Sequence, residues 1–110
     1  MDDWREREVR NEVRSRDRNE WIETASTDYE AIRPIERYVC ECSFEDCTTV
    51  LDMTREEYEG VRAEGTHFAI ARDHENPEVD RIVSENDRFA VVAKFLEMPR
   101  RLALETDPRR

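Results

Sequence analysis

Glycine is nearly missing from this chain, lysine occurs once, and no apolar run is long enough to cross a bilayer. With only Gly60 and Gly65 there is no glycine-rich loop to cradle phosphates, so neither a P-loop nor a dinucleotide fingerprint is present. G-x-S-x-G and H-E-x-x-H are absent too, which removes the common serine-hydrolase and zinc-protease signatures. The missing apolar run excludes a membrane-spanning helix, and MDDWREREVRNEVR has neither the apolar stretch nor the cleavage site of a signal peptide. A cytoplasmic protein is expected. Apolar residues are also scarce, 37% of the 110, against roughly 45–50% for ordinary globular chains on a slightly broader residue set. One thin-cored domain is the most this length supports.

Charge fills the space that apolar residues leave. Charged residues make up 42% of the chain and the formal net charge is -10, which argues against unassisted binding to nucleic acid and suits a basic protein partner or none. A C-terminal basic patch of Arg100, Arg101, Arg109 and Arg110 is too small and dispersed to reverse that balance.

The organisation read from the pattern is a charged N-terminal helix or arm over 1–25, a compact α+β domain over 35–95 and a tail over 96–110. In the arm, Glu6 to Arg10 and Glu12 to Arg16 stand at the i, i+4 spacing that supports a helix. Trp4, Val9, Val13, Trp21 and Ile22 make only a loose apolar stripe, so the helix is expected to rest one edge on the domain. The alternative is a partner-docking helix anchored by Trp4 or Trp21, whose removal would leave the rest folded. Pro34 breaks any helix through Tyr29 to Arg33 after a loop at Thr24 to Asp28.

The domain itself reads β-β-α-β-α-β. Ile35 to Cys42 and Thr48 to Met53 form a metal-stapled antiparallel hairpin. A helix starts at Thr54 with Glu57 as its capping-box partner and closes at Gly65, in the left-handed conformation. His67 to Ala71 is a strand, with Phe68 and Ile70 on one face. Asn76 and Pro77 start a second helix with Val79, Ile82 and Val83 as its buried stripe, and Arg88 to Lys94 is the last strand. A weak helical run from Leu96 to Leu104 is interrupted by Pro99.

All three cysteines, Cys40, Cys42 and Cys47, lie in YVCECSFEDCT. In a reducing compartment an odd number of closely spaced thiols points to a metal rather than to disulfides. Alternation along an extended chain puts Cys40 and Cys42 on one side and Glu41 on the other, and Cys47 returns across the turn. Structural zinc with three cysteines and one histidine is a known tetrahedral type. His74, in the polar loop RDHENP, is the favoured fourth ligand, ahead of His67, Asp46 or water. The competing readings are small buried thiols without metal, a [2Fe–2S] cluster on the same four residues, and a catalytic zinc with Asp73 or Glu75 as base. No catalytic residue is assigned. The expected function is a non-enzymatic, zinc-stabilised interaction or regulatory protein, with a redox-sensing zinc-thiolate switch as the alternative.

C-E-C with a third cysteine five residues on, then MTREEYEGVR, HFAIA, DHENPEVDRIVSEN and RFAVVAK, resembles a group of small uncharacterised bacterial proteins common in actinobacteria. The resemblance covers about Val39 to Lys94 and the last few residues. It implies no activity, but it favours His74, because DHE stands where that group has G-H-E. Asp73 in place of glycine and Ala93 in place of glutamate are the departures.

Overall fold

The computed structural model describes residues 4–26, 35–44 and 46–109. The expected break at Pro34, Tyr29 to Arg33, and Arg110 of the basic patch fall outside them, as does the end of the loop expected at Thr24 to Asp28, whose start is instead the last turn of a helix that runs to Ser26. The elements are α1 (Trp4–Ser26), β1 (Ile35–Val39), β2 (Val50–Thr54), α2 (Arg55–Arg62), β3 (His67–Ile70), β4 (Asp80–Glu85), β5 (Ala90–Lys94) and α3 (Glu97–Glu105). The class is α+β, an N-terminal helix followed by mixed strands and helices with the Cys/His cluster beside the hairpin. No helix among the described residues is long and apolar enough to cross a membrane.

Two sheets share the work. β1 and β2 form an antiparallel hairpin, Ile35 opposite Thr54 and Val39 opposite Val50. β3, β5 and β4 form a second antiparallel sheet with β5 in the middle. The chain just after β1 joins the two sheets: Cys40 N–H donates to Thr49 O (3.0 Å) and Glu41 N–H to Ala69 O (2.8 Å). The cysteine-bearing segment therefore lies in the seam between the sheets. Around it Tyr38, Leu51, Met53, Tyr58, Phe68, Ile70 and Val92 are fully buried, and the Tyr38 and Tyr58 rings stack at 4.5 Å.

Three expectations need correction. The second helix is a strand. Asn76 does start a single turn, accepting from Val79 N–H (3.0 Å) and Asp80 N–H (2.8 Å), but the chain then extends and pairs with β5, with a bulge between Ile82 and Ser84. The β-branched pair Ile82 and Val83 fits a pleated edge better than a helix, and their side chains are 44% and 50% exposed rather than a buried stripe. Gly65 does not supply a left-handed cap, since no glycine has positive φ. It gives close approach instead: a Cβ there would stand 2.6 Å from Asp107 Oδ2. Pro99 does not interrupt the tail helix, because it lies in the first turn of α3, where its missing N–H is not needed. The capping box of α2 is present as expected, Glu57 N–H donating to Thr54 Oγ1 (3.0 Å) and Thr54 N–H to Glu57 Oε1 (2.8 Å).

α1 packs on α3 and β1 through a stripe that is polar rather than apolar: Val9, Glu12, Arg16, Asn19 and Glu23, spaced three and four residues apart, are all buried. Arg16 donates to the carbonyls of Gly65 (2.8 Å) and Ala103 (2.9 Å) and lies over the Phe68 ring. Glu23 meets Arg109 (2.9 Å). Glu12 and Asp80 both receive the Lys94 ammonium, the chain's one lysine, at the end of β5.

One ammonium facing two carboxyls is neutral when one carboxyl holds a proton. Burial pushes Glu12 up to about 8, with Lys94 pulling the other way and Asp80 adding to the rise. A folded carboxyl raised from 4.5 holds a proton the unfolded chain has released. Its contribution to stability is therefore full below about pH 4.5 and is lost as the pH rises through about 8. Glu12→Gln, which mimics the protonated form, is expected to flatten the fall in stability between about pH 5 and 8. Urea unfolding midpoints of the two chains across that window check this, and parallel slopes would refute it.

Candidate metal centre

The backbone of residues 39–42 is held on both sides. Asn19 of α1 grips Val39 by both backbone groups, accepting from its N–H (2.7 Å) and donating to its C=O (2.8 Å). The same amide donates to Glu41 Oε2 (2.7 Å), and Glu41 Oε1 accepts from Ala69 N–H (2.9 Å). Glu41 is thus buried on the side away from the sulfurs, as the alternation requires. Burial raises its carboxyl to about 7, while the Asn19 amide and Ala69 N–H oppose the rise.

On the other side Cys40, Cys42, Cys47 and His74 come together. One donor atom from each lies within 4.8 Å of the other three, close enough to hold a metal ion. His74 Nδ1 stands 3.5 Å from Cys40 Sγ and 3.7 Å from Cys47 Sγ. A tetrahedral ion with roughly 2.3 Å bonds to sulfur and 2.0–2.1 Å to nitrogen has sulfur–nitrogen edges of about 3.6 Å. The observed edges bracket that value. Cys40 Sγ also accepts from Ala71 N–H (3.1 Å), the kind of outer contact that orients a thiolate ligand.

His74 arrives by a tight turn. Its N–H donates to Ala71 O (3.1 Å), and Asp73, third in that turn, has φ 69°. A positive φ at this place is the mark of a type II turn, which glycine fits without strain and Asp tolerates. The Phe44 ring meets the imidazole edge-on, with centroids 6.3 Å apart.

Three sulfurs crowded together do not ionise equally. The Cys40 thiol donates to Cys42, which brings Cys42 down to about 5 against its burial. The same contact, with burial, pushes Cys40 up. A divalent cation at the common point removes that conflict by favouring the thiolate at every corner. The donor set fits such an ion.

His67, on β3, and the exposed Asp46 are not among the donors brought together. Sequence reasoning missed the supports rather than the corners: Asn19, Glu41 and the Ala71 amide. A carboxylate between two cysteines at the end of a strand was the available signal, because burial on the far side obliges it to find donors. Comparison of the chain with protein-family models, with curated proteins and with solved structures finds no match in any of the three.

The turn makes the histidine corner testable by itself. Asp73→Gly is expected to keep metal affinity and to leave stability within about 1 kcal/mol, whereas Asp73→Val, β-branched at positive φ, costs about 1–3 kcal/mol and weakens metal binding about tenfold or more. Competition against a chromophoric chelator reads the affinity, and equal affinities for the two variants would count against His74 as a corner.

Proposed function

We propose that this chain is a non-enzymatic interaction or regulatory protein whose fold is held by one structural zinc ion on Cys40, Cys42, Cys47 and His74. The observation that carries the reading is the single point of convergence, with sulfur–nitrogen edges of 3.5 and 3.7 Å. Three thiolates and an imidazole are a soft set that suits zinc. They also fill a four-coordinate shell from the protein alone, which supports a structural role over a hydrolytic one that needs an open position. All four donors within 4.8 Å favour one ion over a two-iron centre, whose ligands divide between two metals. Three thiols held unpaired suit a reducing compartment, in keeping with the cytoplasm.

The site has a reason to exist in this composition. Apolar residues are only 37% of the chain and much of the face that α1 buries is charged or polar, so the apolar core is small for the length. Zinc adds about 10–16 kcal/mol in small zinc-folded peptides. What the staple presents is surface. Trp21, 71% exposed on α1 between buried Asn19 and Glu23, is the anchor we assign to a protein partner, while Trp4 is half-buried beneath the Arg5 guanidinium. A basic partner matches the net charge.

Metal analysis of the purified chain should give one zinc per molecule, lost in Cys40→Ser, Cys42→Ser, Cys47→Ser and His74→Ala alike. Full occupancy in His74→Ala would remove that residue from the site, and a metal-free parent chain would remove the proposal. For the surface, Trp21→Ala is the appropriate variant, because α1 contributes buried residues and its deletion would disturb the core. It should leave zinc content and melting unchanged and weaken partner recovery by crosslinking at least about thirtyfold, the loss expected of an anchoring tryptophan. Undiminished recovery would move the interface elsewhere.

A further inference from the structure

The three sulfurs are not equivalent. Cys40 and Cys42 are 3% and 2% exposed, whereas Cys47 is half-buried and borders solvent on two sides. On one side lies a narrow cleft of 90 Å³ against α1, lined by Asn11, Arg14, Ser15, Arg18, Phe44 and Cys47. On the other a shallow concavity runs past Asp46, Thr48, Thr49 and His74. Cys47 is also the corner with the least secondary structure behind it. Cys40 follows β1 directly, and its sulfur is held by Ala71 N–H, while Cys47 sits in the irregular connection before β2, with its N–H on Phe44 O (3.1 Å).

The walls of the cleft add a second asymmetry. In this acidic protein several guanidiniums meet carboxylates, the buried Arg62 with Glu20 and Asp107, the exposed Arg88 with Glu57, and the exposed Arg109 with Glu20, Glu23 and Glu59. Arg14 and Arg18, one helical turn apart, line the cleft beside Cys47, and among the described residues neither has an ion-pair partner. Two uncommitted donors beside the one accessible sulfur form a place where negative charge arising near that sulfur is stabilised.

We infer that Cys47 is an oxidation site for hydroperoxides, and that the Arg14–Arg18 cleft serves the reaction by binding the departing oxygen. The inference rests on the zinc reading above. In the first step the Cys47 thiolate attacks one peroxide oxygen. An S–O bond forms as the O–O bond breaks, sulfur loses two electrons to the peroxide, and the leaving alkoxide or hydroxide, held by the guanidiniums, takes a proton from water. Cys47 is then a sulfenic acid and a poor zinc ligand. In the second step the Cys42 thiolate, already within 4.8 Å of the Cys47 donor, attacks that sulfur. The S–S bond forms, and hydroxide leaves and is protonated to water. In sum, two thiolates, one hydroperoxide and two protons give a disulfide, an alcohol (or water) and water, and the zinc is released. Cys40, buried and held by the Ala71 amide, stays a thiol.

The test uses the full chain loaded with one zinc, with hydrogen peroxide as the probe. Zinc release is followed with a chromophoric chelator, sulfenic acid is trapped with a cyclic 1,3-dione, and the products are mapped by mass spectrometry. The expected result is trapping at Cys47, a Cys42–Cys47 disulfide at later times, and release of one zinc per disulfide. Arg14→Ala combined with Arg18→Ala, both exposed positions, should keep full zinc and the parent melting temperature while slowing release about tenfold. First trapping at Cys40 or Cys42, or zinc retained through excess peroxide, overturns the inference and leaves the structural zinc reading standing. A chain that never binds zinc overturns both. An unchanged rate in the arginine variant removes the cleft from the reaction and with it the inference as stated.

Discussion

Asn19 holding both backbone groups of Val39 is the contact on which the rest of the molecule turns. Its amide accepts from Val39 N–H and donates to Val39 C=O and to Glu41, so one side chain on α1 completes the hydrogen bonding of the strand that leads into the cysteines. A buried backbone group left unpaired costs about 1–3 kcal/mol, so this one residue offsets two such penalties and satisfies an oxygen of a buried carboxylate. Glu41 then passes the constraint to β3 through Ala69 N–H. Since Cys40 and Cys42 flank Glu41, fixing its far side sets the direction in which both sulfurs leave the chain.

This explains how a chain with so few apolar residues closes. The face α1 buries is mostly hydrogen bonds and ion pairs, each directed at a different element: Glu12 to β5, Arg16 to α3 and the chain before β3, Asn19 to the end of β1, Glu23 to the C-terminal Arg109. Buried ion pairs contribute little net stability compared with well-packed apolar residues, but losing one partner is expensive, at about 3–5 kcal/mol. Such a face is better at fixing register than at supplying stability. α1 can sit in one position only, because a shift of one residue leaves several charges unpaired at once.

What was legible in the sequence follows from which physical signals are local. The capping box of Thr54 and Glu57 was, since it is written in four consecutive residues and answered within them. So was the convergence of Cys40, Cys42, Cys47 and His74, because a thiol cluster has few uses in a reducing environment. The strand at Asp80–Glu85 was not, since Val79, Ile82 and Val83 satisfy a helical period while the exposed free side of β5 decides against it. The buried face of α1 was hidden for a related reason. Val9, Glu12, Arg16, Asn19 and Glu23 carry a regular spacing, but hydrophobic periodicity does not register a stripe made of charge. The nearest clue was Lys94, a solitary lysine closing an otherwise apolar strand, which had to meet acids from somewhere.

The same geometry makes the metal centre and α1 parts of one unit. Residues 39–42 are bonded to α1 through Asn19, to Thr49 just before β2, to Ala69 in β3 and to Ala71 just after it, while their two sulfurs face His74. An ion held there would add its binding free energy at the one segment that all of these elements are bonded to. Trp21 stands on α1 between the buried Asn19 and Glu23, the first of which bonds this segment. The cysteine-bearing segment and the helix that carries Trp21 are thus joined directly, through the hydrogen bonds of one asparagine.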